Sequence, residues 1–256
     1  LEKILRDILK MNKKIIFSGG GSGGHIFPAI NLMKHFFDKK YDVLLVTDRR
    51  GSSFIKNKLS FKSYTLNTDT PTNKNLFKKI LSYVLIFFSI IESIFILRKE
   101  KPDLIFGLGG YVSFPVGLAS KFFNIPLIIY ENNMVFGRTN NYLSVFSKKI
   151  LISTKVEKHF PVKHKNKTFE VGAILDKKII EYSRSVESIN KDEFTILVLG
   201  GSQGAEVFGN IIPSAIKMIK ESGYKIEVNQ QCIKKQKESL KDFYNNNGIK
   251  NYIFEF

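Results

Sequence analysis

The chain has 256 residues, 43% of them hydrophobic, one cysteine and a formal net charge of +17 at pH 7. That length suits one large or two medium domains with a real core, and Cys232 by itself excludes an intrachain disulfide framework, so a reducing cytoplasmic setting is expected. No zinc-type Cys/His cluster and no RNA-binding signature accompanies the charge, so no nucleic-acid partner is expected. What remains is an anionic membrane, an anionic substrate, or compositional drift in a chain rich in Lys, Asn, Ile and Phe.

Residues 1–10 lack the apolar core of a signal peptide, and the protein is expected to work inside the cell. Lys14-Ile-Ile-Phe17 reads as a buried parallel strand. A glycine loop follows, then a helix from about Pro28 carrying Ile30, Leu32, Met33 and Phe36, then the strand Tyr41–Thr47. The long helical pattern over 75–100 ends at Pro102, and Asp103–Phe106 is the next strand. A second glycine loop, a helix over Val116–Phe123, the strand Pro126–Tyr130, a helix near Thr139–Phe146 and the strand Ile150–Ile152 complete this part, with Thr168–Val171 leading to Gly172. A polar, linker-like stretch from Ser183 to Asp192 precedes a second run of strand, glycine loop and helix from Phe194, with strands again at 225–228 and 251–254. The class is α/β, with a complete Rossmann-like unit over 11–175 and a second, incomplete one over 176–256.

Three glycine loops carry the chemistry: Ser18–Pro28, Gly107–Pro115 and Leu199–Ala205. Each stands where a parallel strand hands over to a helix, the junction at which backbone N–H groups meet phosphate oxygens. Gly19-x-Gly21-x-x-Gly24, with Asp48 at the end of the next strand, also fits a dinucleotide fingerprint. The His25 and Pro28 that follow, and the repeated loop in a second domain, count against that reading. His25 beside the first loop could take a proton from an attacking hydroxyl, or only hydrogen-bond the loop. Glu131, at a strand's carboxyl end with Asn133, could orient a hydroxyl or the histidine, or serve as a strand-end cap. The stretch Ile80–Leu97 is apolar enough for a membrane span, but serines interrupt it along one face and lysines or arginines flank both ends. A helix packed on the sheet, with surplus apolar residues lying on an anionic bilayer, competes with a wholly buried core helix.

At these residues the chain resembles the MurG family, peripheral membrane N-acetylglucosaminyltransferases of peptidoglycan synthesis. Gly20-Gly-Ser-Gly-Gly-His-Ile-Phe-Pro28, Lys101-Pro-Asp103 leading to Gly109-Gly-Tyr-Val-Ser113, Glu131-Asn-Asn133 and Gly200-Gly-Ser-Gln-Gly-Ala205 are similar, in order, to the family's motifs. The resemblance implies a GT-B glycosyltransferase fold of two Rossmann-like domains. It implies inverting transfer of N-acetylglucosamine from UDP-N-acetylglucosamine to lipid I, at the cytoplasmic face of the inner membrane, with no metal and no cofactor. It further implies His25 as base with Glu131 assisting, substrate contacts from Ser22, Gly23, Gly24, Asn133, Ser202, Gln203 and Gly204, and contact with anionic inner-membrane lipids through Lys74, Phe77, Lys78, Lys79, Leu81, Leu85 and Phe88. Three departures bear on this: Ser22 stands for a threonine, Asp176 for the arginine of Gly-Asn-Pro-Val-Arg, and the chain stops at Phe256, before the family's uracil-binding segment. Little transferase activity is therefore expected from these 256 residues alone, the alternatives being another glycolipid glycosyltransferase or an inactive membrane-bound remnant.

Overall fold

The computed structural model describes residues 13–55, 61–72, 75–156, 158–185, 194–201 and 206–255. They divide into two compact units that part between Arg184 and Ser185.

The first unit is built on seven parallel strands: β1 (Lys14–Ser18), β2 (Asp42–Asp48), β3 (Ser63–Leu66), β4 (Leu104–Gly107), β5 (Leu127–Glu131), β6 (Lys149–Ile152) and β7 (Thr168–Glu170). Their order is β3-β2-β1-β4-β5-β6-β7, so the winding reverses between β1 and β4. A strand's side chains alternate between faces, and this sheet is covered on both. Ile15 and Phe17 face one side with Val43, Leu45, Leu104 and Phe106, under Ile26, Ala29, Met33 and Phe36 of α1 (Gly23–Asp38). Ile16, Leu44, Val46, Ile105 and Ile129 face the other, under α3 (Leu76–Glu100), α4 (Ser113–Phe122) and α5 (Arg138–Ser144), which supply Ile96, Leu97, Val116, Ala119 and Leu143.

Helix α1 begins five residues before the expected start at Pro28. The N–H groups of His25 and Ile26 both donate to the Ser22 carbonyl at 3.1 Å, so His25 lies in the first turn. Pro28 falls inside the helix, where it forfeits one ladder bond. Helix α4 likewise starts at Ser113 rather than Val116. Helices α2 (Arg49–Ile55) and α6 (Lys177–Ser185) and strand β3 were not among the expected elements: α2 and β3 are short with one buried position each, and α6, though amphipathic, is short and polar overall. Helix α6 belongs to the first unit, past the expected boundary at 175/176.

Helix α3 is long and apolar enough, by length and composition, to cross a membrane. Its polar stripe nevertheless faces inward: Ser82, Ser89 and Ser93 are buried, while Leu76, Phe77, Ile80, Phe87, Phe88 and Phe95 are exposed. The wholly buried alternative therefore fails. Ser82 Oγ donates within the 69–70 segment and Ser89 Oγ to the Asn67 carbonyl at 3.3 Å, so the serines tie α3 to the chain leaving β3. At the far end Lys101 turns left-handed (φ +48°) and Pro102 stops the helix.

The last residue of α3, Glu100, is buried and bridges three groups: Lys14 Nζ at 3.2 Å, Lys62 Nζ at 2.6 Å and the Tyr64 hydroxyl at 2.5 Å. Burial alone would push its carboxyl up, but these donors outweigh it and hold the pKa at about 2.

The second unit has three parallel strands, β8 (Phe194–Val198), β9 (Ile226–Gln231) and β10 (Lys250–Phe254), in the order β10-β9-β8. Helices α7 (Glu206–Glu221) and α8 (Lys237–Asn246) join them, and Ile216, Val228, Leu240 and Tyr244 form its core.

Glu100→Gln should destabilise the first unit by about 2–3 kcal/mol at pH 7, read as a lower urea midpoint with unchanged slope. The group's folded pKa of about 2 lies below its ordinary 4.5, so the stabilisation is present above pH 4.5 and lost as pH falls toward 2. The deficit of the variant should therefore close over that window.

Candidate active site

The reversal between β1 and β4 places their two following loops side by side, at the position where open α/β sheets leave a crevice for ligands. Here the loops touch. A Cβ on Gly110 (φ +76°) would run into the Gly20 carbonyl oxygen. Leu108 N–H donates to the Ser18 carbonyl at 2.7 Å, and the buried Ser113 hydroxyl lies 2.8 Å from both the Ser18 and the Gly109 carbonyl. The first loop is further held from β2. Thr47 Oγ1 donates to the Gly19 carbonyl at 2.8 Å, and Asp48 Oδ1 accepts from Gly21 N–H at 3.0 Å and Gly51 N–H at 2.7 Å. Asp48 thus holds the first loop with one oxygen while it also lines a cavity beside that loop.

His25 stands where the loops meet and borders two cavities. One, of about 390 Å³, is lined by Thr72, Gly109, Tyr111, Glu131, Asn133 and Arg138 among others. The other, of about 380 Å³, is lined by Gly20, Gly21, Ser22, Arg49, Arg50 and Thr70 among others. They share His25, Gly110 and Tyr111. Burial pushes the His25 imidazole below its ordinary 6.5, while the charges of Glu131 and Asp48 and the Leu108 backbone pull the other way. A neutral imidazole at physiological pH can accept a proton.

Glu131 ends β5 and is buried, yet its carboxylate is fully engaged. Oε1 accepts from the Asn133 backbone N–H and side-chain Nδ2, each at 3.0 Å, and Oε2 from Gly137 N–H at 2.8 Å and Asn140 Nδ2 at 3.0 Å. Three of these donors fix the 132–137 loop as one wall of the larger cavity, and the fourth ties it to α5. Glu131 reaches His25 through its charge rather than through a hydrogen bond.

The remaining expected residues separate. Ser22 is the N-cap of α1 but its hydroxyl makes no capping bond, and Gly23 and Gly24 form the first turn beside it. Asn133 is exposed at the cavity wall. Ser202, Gln203 and Gly204 lie outside the described residues, as does Lys74. Phe77, Lys78, Lys79, Leu81 and Phe88 are exposed on α3, and Leu85 is half-buried. Asp176, the acid in the arginine's place, caps α6: its Oδ1 accepts from Lys178 N–H at 2.9 Å, and its other oxygen lies 3.7 Å from Lys34 Nζ. Tyr111, Arg138, Arg49 and Arg50 line the cavities and were not among the expected site residues. Only Tyr111 sat inside a recognised motif; the arginines gave no signal in an already basic chain. Among the described residues no group of three or more His, Cys, Asp and Glu gathers as a metal site.

Glycine loops at a switch point, with a histidine in the first helical turn, define a doubly wound α/β protein whose crevice stands where such sheets bind ligands. The family model described as the glycosyltransferase family 28 N-terminal domain matches residues 15–152, and that of the family's C-terminal domain matches residues 195–256. The chain belongs to glycosyltransferase family 28, and it is a glycosyltransferase of the expected GT-B class. A UDP-N-acetylglucosamine--N-acetylmuramyl-(pentapeptide) pyrophosphoryl-undecaprenol N-acetylglucosamine transferase of Pelagibacter ubique is 36% identical over 250 residues, covering 96% of this chain and 67% of that protein. A protein of the same description from Rickettsia bellii is 36% identical over 248 residues, covering 95% and 68%. Among solved structures, MurG of Acinetobacter baumannii is 24% identical with a TM-score of 0.69, covering 95% of this chain and 68% of that one. A UDP-GlcNAc 2-epimerase from Methanocaldococcus jannaschii reaches a TM-score of 0.60 at 15% identity, covering 94% and 73%, so the fold by itself does not separate transfer from epimerisation.

Glu131→Ala would leave four N–H donors without their acceptor and should cost about 3 kcal/mol of stability, with Glu131→Gln costing less. Amide hydrogen exchange at Asn133 and Gly137 should quicken in both variants.

Proposed function

We propose that the protein transfers N-acetylglucosamine from UDP-N-acetylglucosamine to lipid I, forming lipid II for peptidoglycan. Two relatives at 36% identity, named for that donor and acceptor, support both. The observation that carries the chemistry is His25, buried enough to stay neutral and bordering both cavities between the glycine loops. His25 takes the proton of the muramyl 4-hydroxyl as that oxygen bonds to the donor's anomeric carbon. The bond from that carbon to the UDP oxygen breaks from the opposite side, which inverts the centre. The Glu131 charge favours the imidazolium that results, and the carboxylate keeps the Asn133 wall in place. Backbone N–H groups at Ser22, Gly23 and Gly24 suit a diphosphate, with Asn133 as a further substrate contact. No metal or cofactor is assigned.

The apolar face of α3, with Phe77, Leu81, Leu85 and Phe88 beside Lys78 and Lys79, would lie on the anionic lipids of the cytoplasmic leaflet, where a polyprenyl-linked acceptor resides.

Radiolabel transfer from UDP-N-acetylglucosamine to lipid I tests the reading. His25→Ala should lower kcat by about 100- to 10,000-fold, and equal turnover in that variant would remove the assigned base. Because the base works only when neutral and its pKa is lowered, the rate should hold below pH 6.5 and fall only under the lowered pKa. Replacing Phe77 and Phe88 together by Glu should weaken sedimentation with anionic vesicles about tenfold or more, while urea stability stays near the parent's because both side chains are exposed.

A further inference from the structure

The geometry points to Gly109 as the positioning residue for His25: the second glycine loop orients the imidazole by leaving open the space a side chain would fill. This deepens the proposed function and rests on His25 as the base.

A Cβ built on Gly109 would lie 2.7 Å from His25 Nδ1 and 2.8 Å from Cε1, so the ring is packed flush against that backbone. Gly109 also sits at φ +90°, which L side chains rarely adopt. On the other side a Cβ on Gly19 would come 3.0 Å from the His25 carbonyl oxygen. One glycine from each loop therefore bounds the histidine, the first at its backbone and the second at its ring. A base histidine is ordinarily oriented by an acceptor on its far nitrogen. His25 Nδ1 is buried and has no hydrogen-bond partner among the described residues. The Leu108 backbone is close enough to favour a proton on the ring, but it does not meet Nδ1 in hydrogen-bond geometry. Packing against Gly109 takes over the orienting role.

The seat is itself held. The Ser113 hydroxyl lies 2.8 Å from the Gly109 carbonyl and equally from the Ser18 carbonyl that ends β1. Ser113 thus keeps the Gly109 wall at a set distance from the strand that carries the first loop. Glu131 and Asp48 are the carboxylates whose charge reaches the ring, and Tyr111 and Arg138 border the cavity it faces.

The test is the titration of His25 by NMR in the full chain, for wild type, Gly109→Ala and Ser113→Ala. In folded Gly109→Ala the methyl should drive the ring out of its seat. The His25 pKa should then move up toward 6.5, the acid limb of transfer should follow it, and kcat should fall by about 100-fold, while His164 titrates as in wild type. Ser113→Ala, which adds no bulk, should shift His25 in the same direction by less and decides the matter if Gly109→Ala does not fold. An unchanged His25 titration in a folded variant, or equal movement of His164, overturns the positioning role. Undiminished transfer by His25→Ala would instead overturn His25 as base and leave the titration result standing.

Discussion

Two loops that pass closer than a side chain would allow set the geometry of everything near His25. Gly20 and Gly110 are in backbone contact, and Gly19 and Gly109 bound the histidine. That approach is possible only where strand order reverses, since β1 and β4 are neighbours whose connections leave in opposite directions. Around the contact the polar groups are matched: Thr47, Asp48 and Ser113 each bond to loop backbone. Unmet backbone groups at so dry a junction would cost about 1–3 kcal/mol apiece, so these side chains make the approach affordable. The cavities on either side are the space left over.

Much of this arrangement was legible in the residues. Strands such as Lys14–Phe17 and Pro126–Tyr130 are continuous apolar runs, the mark of a sheet covered on both faces, and glycines at their ends announced the turns. The start of α1 was not legible, because Pro28 is a strong first-turn signal and the two glycines ahead of it are poor helix formers. Ser22 overrides both by accepting two N–H groups, and this places His25 within the helix. Strand β3 and helix α2 were invisible for a different reason. They are short, and Leu66 and Gly51 are their only fully buried positions.

Among site residues, motif membership located His25 and Glu131 but not what each touches. Glu131 looked equally able to serve chemistry or architecture, and its four N–H donors show that architecture occupies every lone pair it directs at the loop. The role of Gly109 has no signature in spacing at all, since it depends on the distance between two loops 84 residues apart in sequence numbering from His25 to Gly109.

Helix α3 turns its serines inward and its phenylalanines outward, and two of those serines hold the 67–70 segment. Residues 68–70 also line the cavity beside His25. The exposed apolar face and the cavity wall are thus opposite sides of one short bonded stack. A push or pull on the outer face of α3 would thus reach the wall beside the histidine through two serine hydroxyls.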